Sequence, residues 1–348
     1  MKPSLTYRVL AKLQTFFVQK LMRVSFGSNY STEDVHLKDY TPLQVSSESL
    51  LDADDPLPSL DPTQKVLIVI PFRDKWSMTE LCFSGLLKQG KDQLELLVAL
   101  VDNGSTEKET REGIERAISR GKEAGIKVRH LRYEVPFNFS FLNNQAVRDC
   151  EDFNADIVGL INNDIEFLDT DSLQQLVRGS LLPQAGAVGC TLLYPEGKVQ
   201  HLFVFVGSKI VGSHPYKGFE PDLNAKWYEH PRAVGAVTGA VMFIQRERFE
   251  SVGGFDELLP TSYQDVDLCL KFQKKQWINW VLPKVILIHH ETQTRSLEPS
   301  WNEAQLVEKK WGEFLLRNPF VSLAWSRKSE HFVFTPRAFL RFIFSQNA

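Results

Sequence analysis

The chain has little to hold it together covalently and no apolar run long enough to cross a bilayer. Its 348 residues include four cysteines, Cys82, Cys150, Cys190 and Cys269, widely separated, with no C-x-x-C pair and no closely spaced histidines beside them. That pattern excludes a disulfide framework and a zinc knuckle, and leaves buried thiols of a reducing compartment as the expectation. The longest apolar runs, such as Val66 to Pro71 and Val285 to Ile288, fall far short of the roughly 20 residues of a spanning helix. No apolar signal segment with a small-residue cleavage site opens the chain, so the cytoplasm is the expected compartment. A large charge of one sign is also missing. The formal net charge of −3 provides no basic field for wholesale nucleic-acid binding, and any anion must be gripped locally. Neither G-x-G-x-x-G nor G-x-x-x-x-G-K-[ST] follows the first apolar run, which argues against a dinucleotide oxidoreductase and a P-loop phosphotransferase. Internal repeats and low-complexity tracts are absent as well.

What is present suffices for a large core: 43% of residues are hydrophobic and 24% charged, the balance of a soluble globular protein. Residues 1 to about 26 place Leu5, Val9, Leu13, Phe16, Phe17 and Val24 at helical spacing among Lys2, Arg8, Lys12, Lys20 and Arg23. This is a basic amphipathic helix, suited either to docking on the body or to lying on an anionic membrane surface. From Ser46 to Gln64 the composition shifts to serine, aspartate and proline, as in a linker. Beyond Lys65, short apolar runs alternate with amphipathic stretches. Strands are predicted over Val66–Pro71, Leu94–Val101, Lys127–Arg132 and Ile157–Ile161, and helices over Met78–Gln89, Thr106–Arg120 and Phe141–Cys150. This rhythm predicts an α/β fold with a mostly parallel, Rossmann-like central sheet and helices on both faces. The tail from Phe332 to Phe344 mixes phenylalanines with Arg337 and Arg341, fitting either packing on the body or a lipid interface. The expected division is a helical extension (1–45), a linker (46–64), a catalytic domain (65–300) and a helical, aromatic C-terminal extension (301–348).

In such sheets ligands bind at the carboxyl ends of the strands, and there the polar residues gather. The first strand ends in Pro71-Phe-Arg-Asp-Lys75, the second in Asp102-Asn-Gly-Ser-Thr106, and the fourth in Asn162-Asn-Asp-Ile-Glu166. Each tip alone reads as an ordinary turn or helix cap; three in register suggest a nucleotide site. Asp102 can accept hydrogen bonds from a base or ribose, while Arg73 and Lys75 can offset diphosphate charge. Asp164, with the amides of Asn162 and Asn163, is a candidate for a hard divalent cation that completes its shell with substrate phosphates. Downstream, Tyr263-Gln-Asp-Val-Asp-Leu-Cys-Leu-Lys271 carries Asp265 near a helix start, as either a general base or a carboxylate favoured by the helix dipole; Asp267, two residues on, faces elsewhere. The strand Val285 to Ile288 runs into His289-His290-Glu291, where a histidine beside an oxygen-rich site would favour Mn²⁺ over Mg²⁺.

The order of these motifs says more than any member. Val66-Leu-Ile-Val-Ile-Pro71, Val101-Asp-Asn-Gly-Ser-Thr106, Pro136-Phe-Asn-Phe-Ser140 with Asn143-Asn144, Asn162-Asn-Asp164, Val199-Gln-His201, Gly253-Gly-Phe-Asp256, Gln264-Asp-Val-Asp-Leu268 and His289-His-Glu291 form an ordered set. It resembles the family 2 glycosyltransferases with a GT-A fold, in particular the rhamnosyltransferase and O-antigen biosynthesis branch. The likeness covers about residues 64 to 335, including Trp311-Gly312 and Asn318-Pro319-Phe320.

The resemblance implies that Pro71, Arg73, Asp74, Asp102, Asn144, Asn162 and Asn163 hold a nucleotide-diphosphate sugar. Asn162 and Asp164 would fill a D-x-D-like slot, with Asp164 on Mn²⁺ or Mg²⁺. His289 or His290 would be a further metal ligand, and Asp265 the base of an inverting transfer to a hydroxyl of a glycan or lipid-linked acceptor, as in cell-surface polysaccharide synthesis. Two positions depart from the pattern: Asn162 stands where the first Asp of D-x-D would be, and Gln264 where many relatives place Glu before the base. A nucleotide-sugar-binding scaffold without turnover is the alternative from another class. A nucleotidyltransferase is disfavoured because the glycine-rich basic loop is missing. No nucleic-acid partner is expected. Contact with the inner face of a membrane would come from the chain's two ends.

Overall fold

A computed structural model describes residues 57–207, 211–291, 300–316 and 320. The basic helix expected over residues 1 to 26 and the aromatic tail from Phe332 to Phe344 lie outside these residues, as does most of the linker. Among the described residues no helix is long and apolar enough to cross a membrane.

Nine residues, β1 (Gln64–Phe72), form the heart of the sheet and are almost continuously buried. Alternate side chains serve two cores: Val66, Ile68 and Ile70 pack on one face, Leu67 and Val69 on the other. A strand covered on both faces reads as an unbroken apolar run for this reason. The chain continues through α1 (Trp76–Leu87), β2 (Leu94–Asp102), α2 (Lys108–Glu123), β3 (Lys127–Arg132), α3 (Phe139–Asp149), β4 (Ile157–Ile161), β5 (Ile165–Phe167) and α4 (Ser172–Ser180). Then come β6 (Ala185–Leu193), β7 (Val199–His201), β8 (Phe205–Val206), β9 (Gly212–Ser213), β10 (Arg232–Val234), β11 (Val241–Gln245), α5 (Arg246–Ser251), α6 (Gln264–Lys274), β12 (Ile278–His289) and α7 (Trp301–Leu316), kinked at Gly312.

The main sheet has ten strands in the order β10-β12-β6-β11-β4-β1-β2-β3, with β5 added to β12 and β7 to β6. The pairs β4-β1, β1-β2 and β2-β3 are parallel, as the alternating strand and helix pattern predicts. Beyond β4 the sheet turns mixed. β11 enters antiparallel to both β4 and β6, and β10 lies antiparallel to β12, while β12 and β6 are parallel. Helices cover both faces: α1, α2 and α4 contribute Phe83, Ile114 and Leu176 to one core, and α3, α5 and α6 contribute Leu142, Phe249 and Leu268 to the other.

Residues past 300 belong to the same packing. Ala304, Val307 and Leu315 of α7 are buried in the core cluster that holds α6. All four cysteines are buried and unpaired.

Candidate active site

The carboxyl ends of β1, β2 and β4 open into a cavity of about 1020 Å³ whose wall includes Pro71, Arg73, Lys75, Asn103, Asn162 and Asn163. Asp164, Asp265 and His289 line the same space. A parallel sheet leaves its strand tips side by side, and the three tips singled out in the sequence meet here.

Asp164 and His289 are joined by strand pairing. After β4 the chain turns, with Ile165 N donating to Asn162 O at 3.3 Å, and β5 then pairs antiparallel with the end of β12, Ile165 opposite His289. The residue before that pair, Asp164, is buried, and its Oδ1 lies 3.1 Å from His289 Nε2. Successive strand residues point to opposite faces, and the two histidines separate accordingly. His289 faces the cavity, whereas His290 Nε2 lies 2.8 Å from Glu166 Oε2 and only its backbone N–H serves the site, donating to Asp164 O at 3.0 Å.

The protonation of His289 follows from Gln200 on β7. The Gln200 amide nitrogen donates to His289 O at 3.3 Å, and its carbonyl oxygen lies 2.5 Å from His289 Nδ1. Nδ1 therefore carries a proton, and Nε2 faces Asp164. A carboxylate oxygen and an imidazole nitrogen 3.1 Å apart are both groups that ligate divalent cations. The donor set fits a divalent cation, with Asn162 Nδ2 at 3.4 Å from His289 Nε2. Among the described residues no three histidine, cysteine or carboxylate groups converge to hold a metal unaided, so further ligands would have to come from outside that set.

Asp265 sits in the first turn of α6, preceded by Tyr263 in the left-handed region at φ 62°. Its Oδ2 accepts from Gly239 N at 3.0 Å and its Oδ1 from Val266 N at 2.8 Å. Burial pushes the carboxyl above its ordinary value, although the backbone hydrogen bonds from Gly239 and Val266 oppose the rise. A base raised in this way binds a proton more tightly while remaining anchored. Asp267, as the helical spacing predicts, faces away. It is fully buried against α7, with Lys310 Nζ and Trp311 Nε1 each 2.7 Å from Oδ1. α7 also grips the other side of the base: Glu303 accepts from Thr261 N at 2.9 Å and Ser262 N at 2.8 Å, in the segment that leads into α6.

Four expected ligands serve the frame instead of lining the cavity. Asp74, at φ 51°, accepts from Thr106 N at 2.7 Å and Glu107 N at 2.9 Å, stapling the β1 tip to the start of α2. Asp102 is 1% exposed and bound by Arg132 Nη1 at 2.5 Å and Ser105 N at 2.7 Å. Burial alone would raise its carboxyl, but hydrogen bonds with His130 and Ser105 and the Arg132 charge hold it down at about 2. Asn144 is buried, exchanging hydrogen bonds with the Phe255 backbone, and His290 pairs with Glu166. Short polar side chains at strand tips are as useful for closing loops as for touching ligand, and here the loops take them.

No family model matches the chain. It is 34% identical over 264 residues to an uncharacterized protein, y4gI, of Sinorhizobium fredii, a match that spans 72% of this chain and 28% of that protein. It is 33% identical over 237 residues to the O-antigen biosynthesis protein RfbC of Myxococcus xanthus, spanning 67% of this chain and 18% of that protein. A third relative, at 27% identity over 220 residues, 58% of this chain and 69% of that protein, is an N-acetylglucosaminyl-diphospho-decaprenol L-rhamnosyltransferase of Mycobacterium tuberculosis. The chain thus spans less than a third of the length of the first two. Among solved structures, GalNAc-T7 with UDP, GalNAc and Mn²⁺ superposes with a TM-score of 0.59 at 14% identity, over 75% of this chain and 53% of that one. A mannosyltransferase of Pyrobaculum calidifontis with GDP-Man and Mn²⁺ gives 0.51 at 18% identity, over 69% and 62%. These two likenesses establish the fold as GT-A.

In sequence the chain is similar to proteins named for O-antigen biosynthesis and rhamnosyl transfer, and in fold to GT-A glycosyltransferases.

Three further residues at or behind the cavity wall stand out. Asn103 lines the cavity where Asp102 was expected. Its amide nitrogen is held by the carbonyls of Tyr133 and Val135, and its buried Oδ1 has no partner among the described residues. Gln264 lines the cavity with a buried Oε1 that has no hydrogen-bond partner among the described residues. Gln200 sets the His289 ring. Sequence signals for them existed only as membership of the D-N-G-S, Q-D-V-D and V-Q-H strings, which do not tell one polar neighbour from the next.

Proposed function

We propose that this chain is an inverting glycosyltransferase, moving a sugar from a nucleotide-diphosphate donor to a hydroxyl of a glycan or lipid-linked acceptor in cell-surface polysaccharide synthesis. One observation carries the reading. A single cavity at the carboxyl ends of the strands holds both an anchored, raised-pKa carboxylate, Asp265, and the Asp164–His289 pair. The names of the O-antigen and rhamnosyltransferase relatives support the substrate class.

In this mechanism Asp265 accepts the proton of the acceptor hydroxyl as its oxygen attacks the anomeric carbon. Gly239 N–H and Val266 N–H fix the carboxylate while it does so. Arg73 and Lys75 lie in the cavity wall to offset the diphosphate. Asp164 and His289 would hold Mn²⁺ or Mg²⁺, and a bound divalent ion neutralises charge developing on the leaving diphosphate. Asn162 takes the first place of the D-x-D-like slot, where its amide lies beside His289 instead of adding negative charge. Asn163 donates to Thr79 Oγ1 at 3.0 Å, which ties the slot to α1.

A panel of nucleotide sugars with Mn²⁺, read first by thermal shift and then by nucleotide release with glycan acceptors, tests this. The expected result is stabilisation by one donor class, release of its nucleoside diphosphate only with acceptor and metal, and a product of inverted anomeric configuration. Donor binding without release under any condition would favour the scaffold reading, which the lack of a third metal-binding group among the described residues makes worth testing. Retained configuration would refute the role given to Asp265.

A further inference from the structure

Two histidines outside this scheme pair at the cavity wall, His214 lining it and His201 buried behind, and their protons can be assigned. His201, at the end of β7, is 1% exposed, and its Nδ1 lies 2.8 Å from Nδ1 of His214, the residue after β9. The other nitrogen of His201, Nε2, accepts from Thr238 N at 3.3 Å. A backbone N–H can only donate, so His201 Nε2 is unprotonated and its proton is on Nδ1. That proton is donated to His214 Nδ1, which must be bare, leaving the His214 proton on Nε2. Both rings are neutral on this geometry. Burial pushes both in the same direction, His201 well below its ordinary value and His214 down to about 4, with the Lys217 and His289 charges adding to the effect at His214. His214 is half-buried and lines the cavity, and Nε2 lies on the ring edge away from His201, with no partner among the described residues.

The position of the pair identifies what it faces. Consecutive backbone amides serve the dyad and the base: Thr238 N donates to His201, and Gly239 N donates to Asp265 Oδ2. The dyad is therefore tied to the base end of a cavity that also holds the Asp164–His289 pair. In a displacement at an anomeric carbon, the group between base and leaving diphosphate is the sugar being transferred. A neutral ring with one fixed N–H suits an uncharged hydroxyl oxygen, whereas phosphate charge is matched by Arg73 and Lys75.

We propose that His214 is a specificity-determining residue whose Nε2–H donates to a hydroxyl oxygen of the donor's sugar, with His201 and the Thr238 amide holding it in that tautomer. This rests on the glycosyl-transfer reading. A site built to donate to a substrate hydroxyl also discriminates against sugars that lack it.

The test uses the full chain labelled with ¹⁵N-histidine. Without ligand, His201 is expected as the Nδ1–H tautomer and His214 as the Nε2–H tautomer at neutral pH; the opposite assignment, or a protonated ring, overturns the proposal. The nucleotide sugar selected by the panel should then shift His214 Nε2–H, and its nucleoside diphosphate alone should not. His214→Phe should weaken donor-sugar binding roughly ten-fold, the loss of one neutral hydrogen bond, with unchanged affinity for the nucleoside diphosphate. His214→Gln, which keeps an N–H near the same place, should recover most of it. Equal loss of both ligands in the phenylalanine variant, or no loss of either, overturns the sugar contact while transfer stands. If no nucleotide sugar binds the wild-type chain, the transfer reading fails and the contact with it.

Discussion

Asp265→Asn alters the charge of the site and almost none of its volume, so its effects on rate and on folding can be separated. The native carboxylate accepts from two backbone N–H groups, Gly239 and Val266, at 3.0 and 2.8 Å. An asparagine offers one oxygen and must turn its NH₂ toward one of these donors, leaving a partly buried N–H unpaired at about 1–3 kcal/mol. An opposing effect has the sign set by the pKa. Because burial raises the folded value, the native state keeps its proton to higher pH than the unfolded state. Native stability therefore falls as pH rises from the unfolded value through the folded one, and asparagine is spared that fall. The net change in melting temperature at neutral pH should be a few degrees at most. Catalysis has no such compensation. Losing a general base costs about 10²- to 10⁴-fold in kcat, or roughly 3–5 kcal/mol of barrier. Calorimetric titration of donor with Mn²⁺ should give a near-native Kd, and nucleotide release should drop by at least a hundred-fold. The wild-type pH profile adds a second check. The base acts deprotonated, so activity is lost as pH falls through its pKa, and the acid limb should lie above the ordinary value of 3.8. A variant retaining more than about a tenth of native kcat, against the loss expected for a base, or an acid limb at or below 3.8, would refute the assignment.

Three other perturbations reach the supports of the site. Glu303→Gln removes an acceptor shared by Thr261 and Ser262; kcat should fall with little change in donor Kd, at a stability cost of about 1–3 kcal/mol read by urea unfolding. Asp102, held at about 2 against an ordinary 3.8, has a depressed folded pKa, so its contribution is present at neutral pH and lost as pH falls from about 4 toward 2. Urea midpoints across that window should drop more steeply for wild type than for Asp102→Asn, the difference amounting to about 1–2 kcal/mol after solvent screening. Gly113→Ala would place a Cβ 2.2 Å from the buried Trp76 indole, and chemical unfolding should show a loss of about 1–3 kcal/mol from overpacking between α1 and α2.

The half of the sheet that carries the nucleotide end was legible because β1, β2 and β4 are unbroken apolar runs ending in polar tips, and β3 was predicted at its observed bounds, Lys127–Arg132. The strands from β5 to β10 were not. Most are two or three residues long, too short to show a periodicity, as at Phe205–Val206 and Gly212–Ser213, which pair with each other in a sheet apart from the main one. Helical spacing correctly separated Asp265 from Asp267, since faces of one helix are fixed by its own pitch. The strand tips gave less away. Asp102 and Asn103 are neighbours in one loop, and only the bonds from Arg132 and Ser105 decide that the aspartate is spent on the frame while the asparagine reaches the cavity. His289 and His290 were left as alternatives because the end of β12 was not known to the residue. Once β5 pairs Ile165 with His289, strand alternation sends the two rings to opposite sides.

The grip of α7 on both ends of the base segment has a bearing on how this unit can be moved between longer chains. Relatives more than three times its matched length show that such units occur within larger proteins. The sheet and cavity wall are finished by Glu291, yet Glu303 fastens the approach to α6, and Lys310 and Trp311 fasten its far side. A chain cut between residues 291 and 300 would keep the cavity-lining tips of β1, β2 and β4 and lose what steadies Asp265. A portable version of this unit must therefore carry the chain through residue 316; a shorter one would keep the cavity's strand tips and leave Asp265 without its support.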